Sequence, residues 1–177
     1  MPSPLAHTAF SLAAAMAAAP GAPVRRVPAL FAAIVAGLVP DADLVVVALT
    51  GDMAWHHGPS HSLVGAAVLG LGVGAAFGLR GRALAWCVVA GAAHPLLDWE
   101  LGDPADAARF GVPLGWPVWP ARHISPWPWF LPFHIHEPGF IANLLRPDAV
   151  AAYVRELVFA GVVAAVAWGG RRFGPPK

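Results

Sequence analysis

The sequence predicts an all-α, multi-span membrane protein of about five apolar helices, some short or broken, with a Pro/Trp-rich loop at the membrane interface. Composition is the first reason. Only 12% of the 177 residues are charged and 58% are hydrophobic, with a mean hydropathy of +0.62, whereas a soluble domain carries roughly 25% charged residues. The second is that apolar runs recur at about the length of a span, separated by Gly, Pro and Arg clusters. The third is the placement of the cations, which alternates with the runs. The whole chain, 1–177, reads as one domain, with a long loop over 100–148.

Leu5 to Ala19 is the first run, rich in alanine and closed by Pro20-Gly21-Ala22-Pro23. A secretory signal would carry Lys or Arg ahead of the apolar stretch; none is present, and cleavage would discard His7, so a retained helix is expected. Val27 to Leu49 is the second run, interrupted by Gly37 and by Pro40-Asp41-Ala42-Asp43. A carboxylate inside hydrocarbon costs a few kcal/mol unless it is paired, neutralised or hydrated, so a chain that keeps two there is expected to use them. Pro40 disfavours helix through Val39, and Asp41 is placed to cap a following piece.

The third run, Ser62 to Leu79, carries Gly65, Gly70, Gly72, Gly74 and Gly78, residues that let helices approach closely. Arg80-Gly81-Arg82 ends it. Ala83 to Trp99 is the fourth run, with His94 and Asp98 at its far end. From Glu100 to Asp148 prolines and tryptophans preclude a regular helix or central strand, and indole rings suit the headgroup region. The fifth run is Ala149 to Trp168. With five crossings, Arg25, Arg26, Arg80, Arg82, Arg171, Arg172 and Lys177 all fall on one side, which the positive-inside rule makes the cytoplasm. His7, the 56–61 histidines, His94, Asp98 and the Trp-rich loop then belong to the outer half. The expected location is the bacterial inner (cytoplasmic) membrane, with a site facing outward.

A net charge of +1, without a basic cluster beyond Arg25-Arg26 and the Arg171-Arg172 tail, excludes an electrostatic nucleic-acid footprint. Cys87 stands alone, so there is no intrachain disulfide and no thiolate cluster.

The chemistry-bearing residues gather where the apolar runs break. Trp55-His56-His57-Gly58-Pro59-Ser60-His61-Ser62 holds three histidines in six residues. His94 and Asp98 are spaced i, i+4, one turn apart on one helix face, as are His57 and His61 if helical. Mixed nitrogen and oxygen ligands suit zinc, with manganese or iron as poorer candidates. The groups outnumber the needs of one tetrahedral ion, which points to two or more ions with bridging Asp. Such a cluster clamps the attacking and leaving oxygens of a phosphoester displacement and generates a metal-bound hydroxide near neutral pH.

Pro40-Asp41-Ala42-Asp43, His56-His57-Gly58-Pro59-Ser60-His61-Ser62, His94-Pro95-Leu96-Leu97-Asp98 and Phe110-Gly111-Val112-Pro113-Leu114-Gly115-Trp116-Pro117 together resemble the YdjM-type membrane-bound metal-dependent hydrolases. The resemblance covers about two thirds of the chain. Its pattern of an N-terminal His, Pro-Asp-x-Asp, His-Arg-Gly-x-Thr-His-Ser and His-x-x-x-Asp implies His7, Asp41, Asp43, His56, His61, His94 and Asp98 as metal ligands. His57 stands where the pattern has Arg, and Ser60 where it has Thr. The family is distantly similar to all-helical zinc phospholipases C and single-strand nucleases.

The expected function is hydrolysis of a phosphoester in a membrane lipid or lipid-linked substrate by metal-bound hydroxide, with Asp41, His61 and Arg122 as catalytic candidates. Arg122 qualifies because an oxyanion near the metals needs a counter-charge, and Arg offers a bidentate fork; a surface arginine facing the headgroups is its other reading. His123, His134, His136 and Glu137 lie outside the shared motifs and read as interface or loop residues; His134 and His136 would share one face of an extended segment, which leaves a second ligand set or proton shuttle as the other reading. A metal or proton transporter is the alternative, disfavoured by the apolar cytoplasmic halves of the spans. A non-catalytic scaffold with a structural metal is the third possibility.

Overall fold

The computed structural model describes residues 4–18, 23–52, 55–101, 107–131 and 146–172. His134, His136 and Glu137 lie outside them. All five apolar runs are helical, and among the described residues no strand forms, only isolated bridges. In chain order the elements are α1 (Pro4–Ala18), α2 (Pro23–Leu38), a 3-10 turn (Val39–Ala42), α3 (Asp43–Thr50), a second 3-10 turn (Pro59–His61), α4 (Leu63–Ala76), α5 (Gly81–Trp99), the single turn α6 (Ala107–Phe110) and α7 (Pro147–Arg172). Helices α1, α2, α4 and α5 pack into a bundle, and α7 docks on α1.

Two helical stretches are long and apolar enough to cross a bilayer, Val27–Thr50, which includes the 3-10 turn, and Pro147–Val166. Helices α1 and α4 have 15 and 14 residues, short of the roughly 20 needed to span. Five full crossings therefore do not follow from helix length alone.

The bundle places small and polar residues inside and large apolar ones outside. Ala32, Ala36, Cys87 and Ala90 form one buried cluster, and His7, His61, His94 and Asp98 are also buried, while Leu49 is 82% exposed and Val166 70%. Lipid reverses the pressure that water exerts: outward Val and Leu are solvated by acyl chains, and helix association depends on close packing of small side chains. The α4–α5 pair follows that rule. A Cβ on Gly70 would collide with the Cys87 carbonyl oxygen, and one on Gly91 with that of Ala66. These pairings make the two helices antiparallel, so Arg80 in their connection and Arg82 at the start of α5 lie at the opposite end from His61 and Asp98.

Pro40 sits in the 3-10 turn that interrupts α2 and α3. Asp41 does not cap α3 as expected from the sequence. The residue before α3 is Ala42, without a side-chain cap, and the Asp41 carboxylate is drawn to the histidines described below. Gly51 closes α3 in a left-handed conformation (φ 70°), a geometry that glycine adopts without Cβ strain.

The described part of the Pro/Trp-rich loop lacks regular structure beyond α6, but it is anchored. Val112 and His123 exchange backbone hydrogen bonds of 3.0 and 3.1 Å; Leu63 N donates to Leu114 O (3.1 Å), Ser125 N to Trp99 O (2.7 Å) and Phe130 N to Glu100 O (2.8 Å). The segment thus ties the start of α4 to the end of α5 and lies across the site end of the bundle. Trp119 and Trp127 project outward from it, the latter 85% exposed.

Replacing Gly70 or Gly91 by Leu is expected to lower stability by at least about 1–3 kcal/mol, the cost of overpacking a tight contact. Gly72→Ala, whose Cβ meets open space, is expected to leave the melting temperature unchanged or slightly raised. Thermal unfolding in detergent followed by circular dichroism separates the two outcomes.

Candidate metal centre

Four elements deliver the site. His7 comes from the first turns of α1, Asp41 from the 3-10 turn after α2, His61 from the 3-10 turn before α4, and His94 with Asp98 from the last turns of α5. Local sequence explains the placement of His61. Ser62 caps α4 by accepting from Gly65 N (2.9 Å) while its hydroxyl donates to Pro59 O (2.8 Å), which locks the short turn carrying His61 against the helix start.

Four atoms converge. His94 Nε2 lies 3.2 Å from His61 Nε2, 3.1 Å from Asp98 Oδ2 and 3.4 Å from Asp41 Oδ1; His61 Nε2 lies 3.4 Å from each of those two carboxylate oxygens. A tetrahedron of ligands about 2.0–2.1 Å from a zinc ion has edges of about 3.3 Å, so these five separations match five of the six edges of such a shell.

Hydrogen bonds on the far side of each ring fix which nitrogen faces inward. His94 Nδ1 is 2.7 Å from the Gly37 carbonyl, an acceptor only, so Nδ1 donates to it and Nε2 faces the cluster. His61 Nδ1 lies 3.0 Å from Asp43 Oδ2, which turns that ring the same way. Two imidazole nitrogens and two carboxylate oxygens therefore face one another inside the protein, where the negative charge needs a compensating cation, a metal ion or imidazolium protons.

Asp43 has a different place from Asp41. Its Oδ2 accepts from His61 Nδ1 and from Ser60 Oγ (2.8 Å), and its Oδ1 from His56 Nδ1 (2.9 Å). It therefore reaches the four-atom cluster only through the His61 ring, the arrangement in which a carboxylate orients a metal-binding histidine. Ser60, between two motif histidines, and Gly37, at a break in an apolar run, were not singled out as site residues from the sequence. Their roles depend on partners distant in the chain.

His7 extends the cluster. Its ring stacks on His94 with centroids 3.9 Å apart, and its Nε2 stands 3.5 Å from Asp98 Oδ1. Neither ring nitrogen has a hydrogen-bond partner among the described residues, although the side chain is 1% exposed. Asp98 thus presents Oδ2 to His61 and His94 and Oδ1 to His7. A further group, His56, His57 and His61, is close enough to share an ion. His57 adopts a left-handed backbone (φ 57°), and burial pushes its pKa down to about 3, which keeps the imidazole neutral. Burial alone would lower the pKa of His61, but hydrogen bonds with Asp41 and Asp43 outweigh it and raise the value, another sign that positive charge is favoured there. Arg122 reaches back from the loop with Nη2 3.4 Å from His56 O, and His123 packs edge-on against Trp119, apart from the cluster.

The YdjM inner membrane protein model matches residues 1–173. The chain belongs to the YdjM inner membrane protein family. No curated protein and no solved structure matches it. Membership agrees with the inverted polarity of the bundle and with the two spanning-length helices. Buried His and Asp groups able to hold a metal ion are thus a feature of this family member.

Purified protein is expected to carry a transition metal on elemental analysis. His94→Ala and Asp98→Ala should remove it, whereas Asp43→Asn, which spares the inward-facing atoms, should weaken affinity about 10–100-fold. His56→Ala is expected to lose more metal than His57→Ala; the reverse order would reassign the two. Retention of metal at wild-type affinity by Asp98→Ala would exclude the four-atom shell.

Proposed function

We propose that this YdjM-family member is a membrane-embedded, metal-dependent hydrolase of phosphoester bonds in an amphipathic or lipid-linked substrate. Its site would open to the outer face of the inner membrane, and its five apolar helices would cross or enter the bilayer. The observation that carries the proposal is that His61 Nε2 and His94 Nε2 lie 3.2 Å apart and each within 3.1–3.4 Å of Asp41 Oδ1 and Asp98 Oδ2, with both rings oriented by outer hydrogen bonds.

Asp41, His61, His94 and Asp98 would hold zinc, with manganese or iron as alternatives, and His7 with Asp98 Oδ1 would begin the shell of a second ion. Zinc held there supplies a Lewis acid and lowers the pKa of a coordinated water toward neutrality. The protein's own part is to orient and to exclude. His61, His94 and Asp98 have fully buried side chains, whereas that of Asp41 is 15% exposed, so substrate approaches from the Asp41 side. Asp43 and Ser60 hold the His61 ring, and Gly37 holds His94. With His57 buried and neutral, Arg122 is the permanent cation beside His56, and its planar fork suits two phosphate oxygens. The anchored loop covers the end of the bundle and restricts water.

A second reading has a specific observation behind it. Four protein ligands saturate a tetrahedral ion, as in structural zinc sites, whereas catalytic sites keep a position open. In that case the protein is a scaffold whose metal holds four chain segments together, and chelation would unfold it.

Hydrolysis of phospholipid and of a generic phosphodiester, assayed with and without chelator, tests the proposal. Chelator is expected to abolish turnover and zinc to restore it. Asp41→Asn should lower kcat at least about 100-fold, and Arg122→Lys should mainly raise KM, since Lys keeps the charge and loses the fork. Metal-loaded, folded protein that cleaves neither substrate would leave the scaffold in its place.

A further inference from the structure

Three groups of ligating side chains overlap at the site end of the bundle. His56, His57 and His61 form the outer group, Asp41, His61 and His94 the middle one, and His7, His94 and Asp98 the inner one, so each shares a histidine with the next. Exposure falls along the series. His56 is 9% exposed and His57 4%, whereas His61, His94 and Asp98 are sealed from solvent. The middle and inner groups make up the metal centre, which takes only His61 from the outer one.

The outer trio has the form of a nitrogen site. Its ring centroids are 4.3 Å apart for His56 and His57, 4.7 Å for His57 and His61, and 5.2 Å for His56 and His61, with planes inclined by 42°, 43° and 80°. Imidazoles bound to one tetrahedral ion through bonds of about 2.0–2.1 Å have centroids about 5 Å apart, and His61 and His94 of the centre stand at 4.9 Å. Stacked rings would lie nearly parallel, as His7 and His94 do at 17°. Asp43 sets two of the three rings: it accepts from Nδ1 of His56 (2.9 Å) and of His61 (3.0 Å), so the nitrogen each has left for an ion is Nε2. His57 is held by a left-handed backbone (φ 57°), a strained conformation for a residue other than glycine and one that persists at ligand clamps. Arg122 meets His56 at the main-chain carbonyl and not at the ring.

The trio is looser than the centre. Its ligand atoms lie within 4.8 Å of one another, against 3.1–3.4 Å for the four converging atoms. Three imidazoles without a carboxylate suit zinc, copper(II) or nickel(II) and not magnesium or calcium, and their wider spacing favours brief occupancy over storage. We infer, resting on the proposed metal centre and not on hydrolysis, that His56, His57 and His61 form a capture site through which a zinc-like divalent cation enters and leaves the centre. His61 is the ligand common to both positions. It keeps its Nε2 on the cation while His56 and His57 give way to Asp41, His94 and Asp98, so hydration is replaced one bond at a time and a bare ion never faces the apolar interior. The competing entrance is the partly exposed Asp41 carboxylate.

Exchange of bound zinc for isotopically labelled zinc, followed on the full-length, loaded protein in detergent, tests the capture site, with affinity measured in parallel by competition with a chelator. His57→Asn removes one imidazole and tolerates the left-handed backbone. It is expected to slow exchange about tenfold and to leave affinity and zinc content unchanged, because a ligand used only in transit alters the barrier and not the end states. His57→Gly, equally at ease at positive φ, is the second variant should the first fold poorly. Exchange at the wild-type rate would overturn the inference and put the entrance on the Asp41 side. A loss of affinity of about 10–100-fold would overturn it as well, because His57 would then be a support of the centre. Wild-type protein that holds no zinc would remove the centre and the capture site together. Zinc-loaded protein that exchanges through His57 and hydrolyses nothing would refute the hydrolase proposal alone.

Discussion

Two imidazole nitrogens lie within 3.1–3.4 Å of each other and of two carboxylate oxygens inside an apolar bundle, and the surrounding architecture serves that approach. The two carboxylates repel each other, and a low dielectric strengthens the repulsion. The cluster is held together by groups behind it: the Gly37 carbonyl behind His94, Asp43 and Ser60 behind His61, and the capped start of α4 beneath the turn that carries His61. A cation in the middle would convert an expensive arrangement into a stabilising one and would join α5 to the 3-10 turns that carry Asp41 and His61.

The small residues of the bundle belong to the same design. Imidazoles from different helices can meet only if the helix axes come close, and Gly70, Gly91 and their alanine neighbours permit that approach. Gly37 has two tasks. Its missing Cβ makes room for Ser11 of α1, and its carbonyl orients His94. The large side chains displaced from this interior line the outside, where a bilayer solvates them. The loop then covers the one end at which polar groups accumulate, and its exposed indoles suit the interface between headgroups and chains.

Much of this was legible in the residues themselves. The helical class follows from apolar runs at span length, and the candidate ligands were visible because charged or imidazole groups in hydrocarbon-length segments demand an explanation. The number of crossings was less legible. Periodicity and length cannot distinguish a helix that spans from one that enters, and α1 and α4 proved shorter than a bilayer's core. Asp41 could be read from sequence as a cap because capping is a local interaction; the long-range attraction of His61 and His94 took precedence over it.

Composition and spacing alone determined that this chain is an apolar helical protein of the membrane with a surplus of hard and borderline metal ligands at the breaks. Tertiary structure decided which atoms face inward. Asp41 and Asp43 are equivalent on paper, but Asp41 lies in the 3-10 turn and Asp43 opens α3, about 200–240° further round the axis, so one carboxylate meets the cluster and the other supports the rings from outside. The orientation of the His94 ring likewise depends on a carbonyl 57 residues away in the chain, a relation that no local pattern encodes.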